Sequence, residues 1–186
     1  MREKLIEQLE RYNPFNEQET QDKALILHML RNEKDIFYRT NMYAHMTASA
    51  WVVNKQRSKT IMVHHNIYNS WSWMGGHSDG DENLLKVAVR EVKEECGIKN
   101  ARPVSEEIFS IEVLPVNGHQ KKGQYVPSHI HLNVTYLIEA DETDELYIKE
   151  DENSNVSWFT FSDAVSASTE EWFKERIYAK LIEKLL

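Results

Sequence analysis

One stretch of the chain constrains its backbone more than any other. Residues 71–98 read WSWMGGHSDGDENLLKVAVREVKEECGI. Gly75 and Gly76 mark a turn, an acidic loop follows, and the periodicity of 83–96 predicts an amphipathic helix. Gly97 stops it, because glycine suits the left-handed position that ends helices. On a helical wheel Leu85, Val89, Val92 and Cys96 share a stripe that packs on a sheet. Glu91, Glu94 and Glu95, at i, i+3 and i+4, share the opposite stripe. Three carboxylates crowded in this way repel one another and raise each other's pKa unless a cation neutralises them. Oxygen ligands from one helix face suit Mg²⁺ or Mn²⁺ far better than zinc. Arg90 lies one turn before Glu94 and is placed to hold that carboxylate, or Glu82, by a charged hydrogen bond.

The flanking segments supply a sheet for this helix. Residues 46–53, 60–64, 108–116, 128–138 and 156–161 are short runs rich in β-branched or aromatic residues. In 128–138, Ile130, Leu132, Val134 and Tyr136 alternate with His129, His131, Asn133 and Thr135, so the second set is predicted to line a wet cleft. Two helical patterns, 1–12 and 16–31, are separated by Asn13 and Pro14. Helix formers fill 172–186. The predicted fold is α+β, a mixed sheet between helices in an α/β/α sandwich. A helical extension spans 1–44, and one domain spans 45–186, closed by a C-terminal helix. The extension carries no recognisable chemistry and is expected to pack on the main domain or on a second copy, as a homodimer.

Composition removes several function classes. With 22 Lys and Arg against 30 Asp and Glu, the net charge is -8. That surface repels a nucleic-acid polymer. A single cysteine, Cys96, excludes an internal disulfide framework and a Cys-based zinc cage. No apolar run approaches the roughly 18 residues of a membrane span, and the charged start MREKLIEQLERY is unlike a signal peptide. The expectation is a soluble, cytoplasmic protein without a membrane partner.

The spacing then becomes decisive. Gly76, five residues, Glu82, seven residues, then Arg90-Glu91-Val92-Lys93-Glu94-Glu95-Cys96-Gly97-Ile98 resembles the Nudix hydrolase (MutT-like) signature at every defined position. The resemblance implies a Nudix fold, with the box as a loop–helix–loop at the cleft. It implies that Glu91, Glu94 and Glu95 bind divalent metal directly or through water, one of them deprotonating the attacking water. A backbone carbonyl of Gly75 or Gly76 completes the metal sphere, and Glu82 and Arg90 brace the loop. The implied reaction is Mg²⁺- or Mn²⁺-dependent cleavage of a phosphoanhydride bond in a nucleoside diphosphate linked to another moiety. A nucleotide sugar, an ADP-ribose-like compound and a nucleoside triphosphate all fit as small-molecule substrates. Two positions depart from the common pattern: Gly80 is shifted one place in the loop, and Met74 stands where proline often precedes the glycines. Both alter loop shape and leave the chemical glutamates in place.

Around the box, His129 and His131 are substrate-binding candidates from the cleft face of their strand. Tyr125 and Lys122 are candidates to stack a base and hold a phosphate, in what otherwise reads as an ordinary exposed loop. His64, His65 and His77 fit structural or solvent-facing roles better than a phosphate or metal contact. The late acidic loop offers Glu150, Asp151 or Glu152 as a further ligand or base. Two other readings use the same fold. An isopentenyl-diphosphate isomerase needs an active-site cysteine outside the box, and the chain has only Cys96 within it. A non-catalytic nucleotide-sensing module usually loses box carboxylates, and all are present here.

Overall fold

The computed structural model describes every residue of the chain except 68, 122 and 150. Lys122 and Glu150 therefore lie outside the described residues. The chain begins with α1 (Arg2–Arg11) and α2 (Glu17–Asn32), then β1 (Ala44–Val53), β2 (Lys59–His65), β3 (Ser70–Ser72) and β4 (Met74–His77). The box helix α3 (Leu84–Cys96) follows, then β5 (Arg102–Pro103), β6 (Ser110–Val116), β7 (His119–Lys121), β8 (Gln124–Val126) and β9 (His129–Glu139). β10 (Asn153–Thr160), α4 (Phe161–Ala167), α5 (Glu171–Phe173), a π-helical turn (Lys174–Tyr178) and α6 (Ala179–Glu183) complete it. All five predicted strands form. The short strands β3, β4 and β5, the β7–β8 hairpin and the broken C-terminal helix were not legible from periodicity, because each is too short to carry one. Among the described residues no helix is long and apolar enough to cross a membrane.

The sheet is mixed, with the order β10-β2-β1-β9-β5, while β3, β4 and β6 pair with β2, β1 and β9. β1 and β9 are its parallel centre, in register from Ala44 opposite Ile130 to Val53 opposite Glu139. Period-two alternation then sorts each strand into two faces. Met46, Ala48, Leu132 and Val134 enter one core with Val92 of α3 and with Leu5, Leu9, Ile26 and Leu30 of α1 and α2. The N-terminal helices thus pack on the main domain. Trp51, Val53 and Leu137 form a second core with Ala164, Ile177, Tyr178 and Leu181.

On that second face, between the apolar core and the cleft, lies a buried polar network. Asn133 Oδ1 accepts from the Thr47 and Ser49 hydroxyls, each at 3.0 Å. The Asn133 amide and the Thr135 hydroxyl donate to Glu112 at 2.9 and 2.8 Å. Lys180 Nζ, reaching in from α6, stands 2.9 Å from Glu112 and 3.2 Å from Glu19 of α2, and Lys184 lies 2.8 Å from Glu19. Asn133 and Thr135 are therefore fully buried rather than wet. Only the histidine end of the predicted stripe meets the cleft.

α3 is capped at both ends, at Gly97 as its sequence suggests and at Asn83, which the periodicity places inside the helix. Asn83 accepts from the Lys86 N–H at 3.1 Å, and Gly97 adopts φ 75°. Its burial differs from the helical-wheel expectation. Leu84, Val87, Ala88, Val92 and Cys96 are buried, Leu85 and Val89 are half-buried, and Glu91 and Glu95 are themselves buried at the edge of the stripe. Of the three carboxylates only Glu94 faces out. A wheel gives the angles between residues, but contact with β1 and β4 sets which angle points inward.

Candidate active site

β4 lies antiparallel to β1, with Ser49 opposite Gly75 and Ala48 opposite Gly76, and α3 crosses beside it. This places the glycine backbone against the helix carboxylates. Glu95 accepts a 2.9 Å hydrogen bond from the Gly75 N–H and a 3.1 Å bond from Asn153 Nδ2. Burial first, then the neighbouring Glu91 and Glu152 carboxylates, push the Glu95 carboxyl up to about 8 against those two donors. Glu91 is also raised by burial, opposed by Arg90, whose Nη2 lies 2.8 Å away. Arg90 also donates to the His77 carbonyl at 3.3 Å and lies 3.8 Å from Glu94. Its main partner is therefore Glu91, where the sequence suggested Glu94 or Glu82. Glu82 instead accepts from the Arg2 N–H at 2.8 Å and pairs with the N-terminal amine at 3.5 Å. It braces the box against α1, not against Arg90.

Glycine at 76 is a matter of space. A Cβ there would stand 2.4–2.7 Å from the Glu91 carboxylate atoms, closer than real side chains approach. Gly76→Ala should therefore displace Glu91 and weaken Mg²⁺ affinity by at least about 10-fold while the fold persists. A Mg²⁺ titration of turnover beside a melting curve checks this; an unchanged titration would mean Glu91 has no part in the site.

The carboxylate wall opens on a cleft of about 590 Å³ lined by Glu91, Glu94, Glu152, Lys149, Arg39 and His45, among others. Lys149 Nζ stands 2.9 Å from Glu152 and 3.9 Å from Glu94, a cation set between the two half-exposed carboxylates. Of the late-loop acids, Glu152 faces the cleft, while Asp151 is exposed and does not line it. Gly75, Gly76, Glu91, Glu94, Glu95 and Glu152 thus offer oxygen donors only, the set a hard divalent cation takes. The residues present fit that ion.

Another part of the lining is nitrogen-rich. His45, His77, His129 and His131 line it. Burial, then the neighbouring His77, His45 and His129, hold His131 far below the ordinary imidazole range. Arg39 forms a bidentate pair with Asp79, its Nε 2.6 Å from Oδ1. Met42, Ile67, Val126 and Pro127 add an apolar rim. Arg39, Asn41 and Met42 come from the connection between α2 and β1, a region with no chemical motif. Tyr125 is outside the cleft lining: its hydroxyl end lies over Gly118 of the adjoining loop, and the ring is largely exposed. His64 bonds Ser154 on the β10 side.

The model of the NUDIX domain matches residues 44–181. Among solved structures, a C. elegans Ap4A hydrolase binary complex gives a TM-score of 0.54 at 19% identity, over 75% of this chain and 93% of that one. The E. coli dihydroneopterin triphosphate pyrophosphohydrolase gives 0.55 at 14% identity, over 77% and 99%. A NUDIX-family hydrolase from Clostridium perfringens gives 0.50 at 20%, over 76% and 98%. At these identities the likeness is one of fold. No curated protein matches the sequence.

Proposed function

The chain belongs to the NUDIX domain family, and from that premise we propose that it is a Mg²⁺- or Mn²⁺-dependent pyrophosphohydrolase that cleaves a phosphoanhydride bond in a nucleoside diphosphate linked to another moiety. The observation that carries this reading is the all-oxygen wall of Glu91, Glu94, Glu95 and Glu152 beside the Gly75–Gly76 backbone. A divalent cation bound there neutralises phosphate charge and makes water a better nucleophile.

The chain's own groups do the rest. Glu95 is oriented by Gly75 and Asn153, and Glu91 by Arg90, so neither has to reorganise as substrate arrives. Glu94 and Glu152, with side chains 47% and 48% exposed, are the carboxylates a water molecule reaches, and the base comes from this pair. Lys149 and Arg39 face the phosphates from the cleft walls, and the apolar rim receives the non-phosphate moiety. The 1–44 extension belongs to the working unit, because its last residues line the cleft. Cys96 supports hydrolysis over isomerisation: its buried Sγ donates to the Val92 carbonyl at 3.0 Å, and burial pushes the thiol up to about 12.

The test is release of the two phosphorylated products, resolved by chromatography, from nucleotide sugars, ADP-ribose, nucleoside triphosphates, Ap4A and dihydroneopterin triphosphate, with either ion and in excess chelator. Release that stops in chelator and returns with Mg²⁺ or Mn²⁺ is expected. Full activity in chelator, or no release from any compound, overturns the proposal. Arg90→Ala separates orientation from chemistry. Turnover should fall at limiting Mg²⁺ and recover in part at high Mg²⁺, since the variant loses the group that holds Glu91 in place. A variant that binds Mg²⁺ normally yet is inactive at saturation would put Arg90 in the chemical step.

A further inference from the structure

We propose that His45, His77 and His131, with His129 beside them, form a second metal site in the same cleft, a nitrogen-donor site for a borderline transition-metal cation such as Zn²⁺ or Co²⁺. Strand register builds it. His45 on β1 lies directly opposite His131 on β9, and Thr47, on the same face, lies opposite His77 on β4. Three histidines far apart in sequence are thereby set on one face, each offering a ring nitrogen within 4.8 Å of the others. The His45 ring is central, with centroids 4.9–5.1 Å from those of His77, His129 and His131.

The protonation pattern favours a cation. His45 Nδ1 lies 3.2 Å from the Asn41 carbonyl and His129 Nδ1 lies 2.9 Å from the Pro127 carbonyl. A carbonyl only accepts, so each Nδ1 carries the proton, and each Nε2 presents a lone pair. A backbone carbonyl on one ring nitrogen is the usual outer support of a metal-bound histidine. His45 Nε2 is buried and has no hydrogen-bond partner among the described residues, which is costly for a polar atom unless something binds there. His129 Nε2 lies 3.1 Å from His131 Nε2. That separation suits one proton shared between them, but it also lies close to the roughly 3.3 Å edge of a tetrahedron with bonds of about 2.0–2.1 Å. A cation at this point also satisfies His45. Imidazole nitrogens select Zn²⁺-type ions over Mg²⁺, so this site and the carboxylate wall take different metals. The inference does not rest on the hydrolase reading.

The experiment titrates the metal-free full-length chain with Co²⁺ alone and follows the visible d–d bands, which are intense for low-coordinate nitrogen ligation and weak for six oxygens. The wild type is expected to bind one equivalent with intense bands that Zn²⁺ removes and excess Mg²⁺ does not. Glu94→Gln should retain those bands. His77→Ala and His129→Ala, both at half-buried positions, should lower Co²⁺ affinity, His77→Ala by more than the roughly 10–100-fold that loss of a supporting partner costs. Melting curves confirm that each variant is folded, and Zn²⁺ should raise the wild-type melting temperature without raising that of His77→Ala. Weak bands displaced by Mg²⁺, or intense bands that survive in both histidine variants, overturn the proposal. So does the absence of any Co²⁺ binding that outlasts excess Mg²⁺.

Discussion

Glu94→Gln and Glu95→Gln are each expected to lower turnover by more than about 100-fold, beyond the 10–100-fold typical of a residue that merely supports a metal ligand. The two should part company on stability. Glu94 is half-exposed, so its amide should leave folding stability within about 0.5 kcal/mol of wild type. Glu95 is buried between two N–H donors, and a glutamine oxygen satisfies one of them while its amide nitrogen faces the other. The lost bond costs about 1–3 kcal/mol, but glutamine cannot ionise and so escapes the penalty on a carboxyl that burial raises to about 8. Relative to wild type, Glu95→Gln should gain stability as pH rises from about 4.5 through 8. Denaturant melts beside turnover at saturating Mg²⁺ read both effects. Near-normal turnover in either variant would remove that residue from the chemistry. A Glu95→Gln melt that tracks the wild type at every pH would show that the Glu95 carboxyl is not buried in solution.

Lys180→Ala carries the largest expected effect on folding. It leaves the fully buried Glu112 and Glu19 carboxylates without the ammonium that stands between them. Breaking a buried pair in this way costs about 3–5 kcal/mol, or roughly 6–20 °C in melting temperature for a chain of this size. Lys180→Met with Glu112→Gln should recover part of the loss, because no uncompensated Glu112 charge then remains. The same network sets an acid limit. Burial alone would raise the Glu19 carboxyl, but Lys180, Lys184, the Tyr12 hydroxyl and the Phe15 N–H hold it down at about 2. A depressed carboxyl contributes stability that is present above its ordinary value of 4.5 and is lost as pH falls toward about 2. Unfolding should steepen in that window for the wild type and less so for Glu19→Gln. A Lys180→Ala variant melting with the wild type would mean the charges are not buried in solution.

These two sites differ in how far the sequence alone reveals them. The box helix and its Asn83 and Gly97 ends were readable, because each depends on neighbours within a turn or two of the chain, whereas the Gly75–Gly76 pair, expected as a turn, lies inside β4 and pairs with β1. The central strands were readable for the same reason, their alternation being local. Which carboxylates turn inward was not, since α3 has no inside until β1 and β4 are against it. Nor were the partners of Glu82, which come from the chain's first two residues. Arg39 and Lys149 carry no motif and reach the cleft from two separate connections, and Asn153, at the start of β10, reaches Glu95. The histidine cluster shows the limit most clearly. Alternation marks out His131, but His77 reads as structural or solvent-facing and His45 as any residue at the start of a strand. The pairing of β1 with β9 and β4 brings the three together. Strand register is a choice among non-local partners, made by the apolar face as a whole, and it leaves no periodic trace in any one segment.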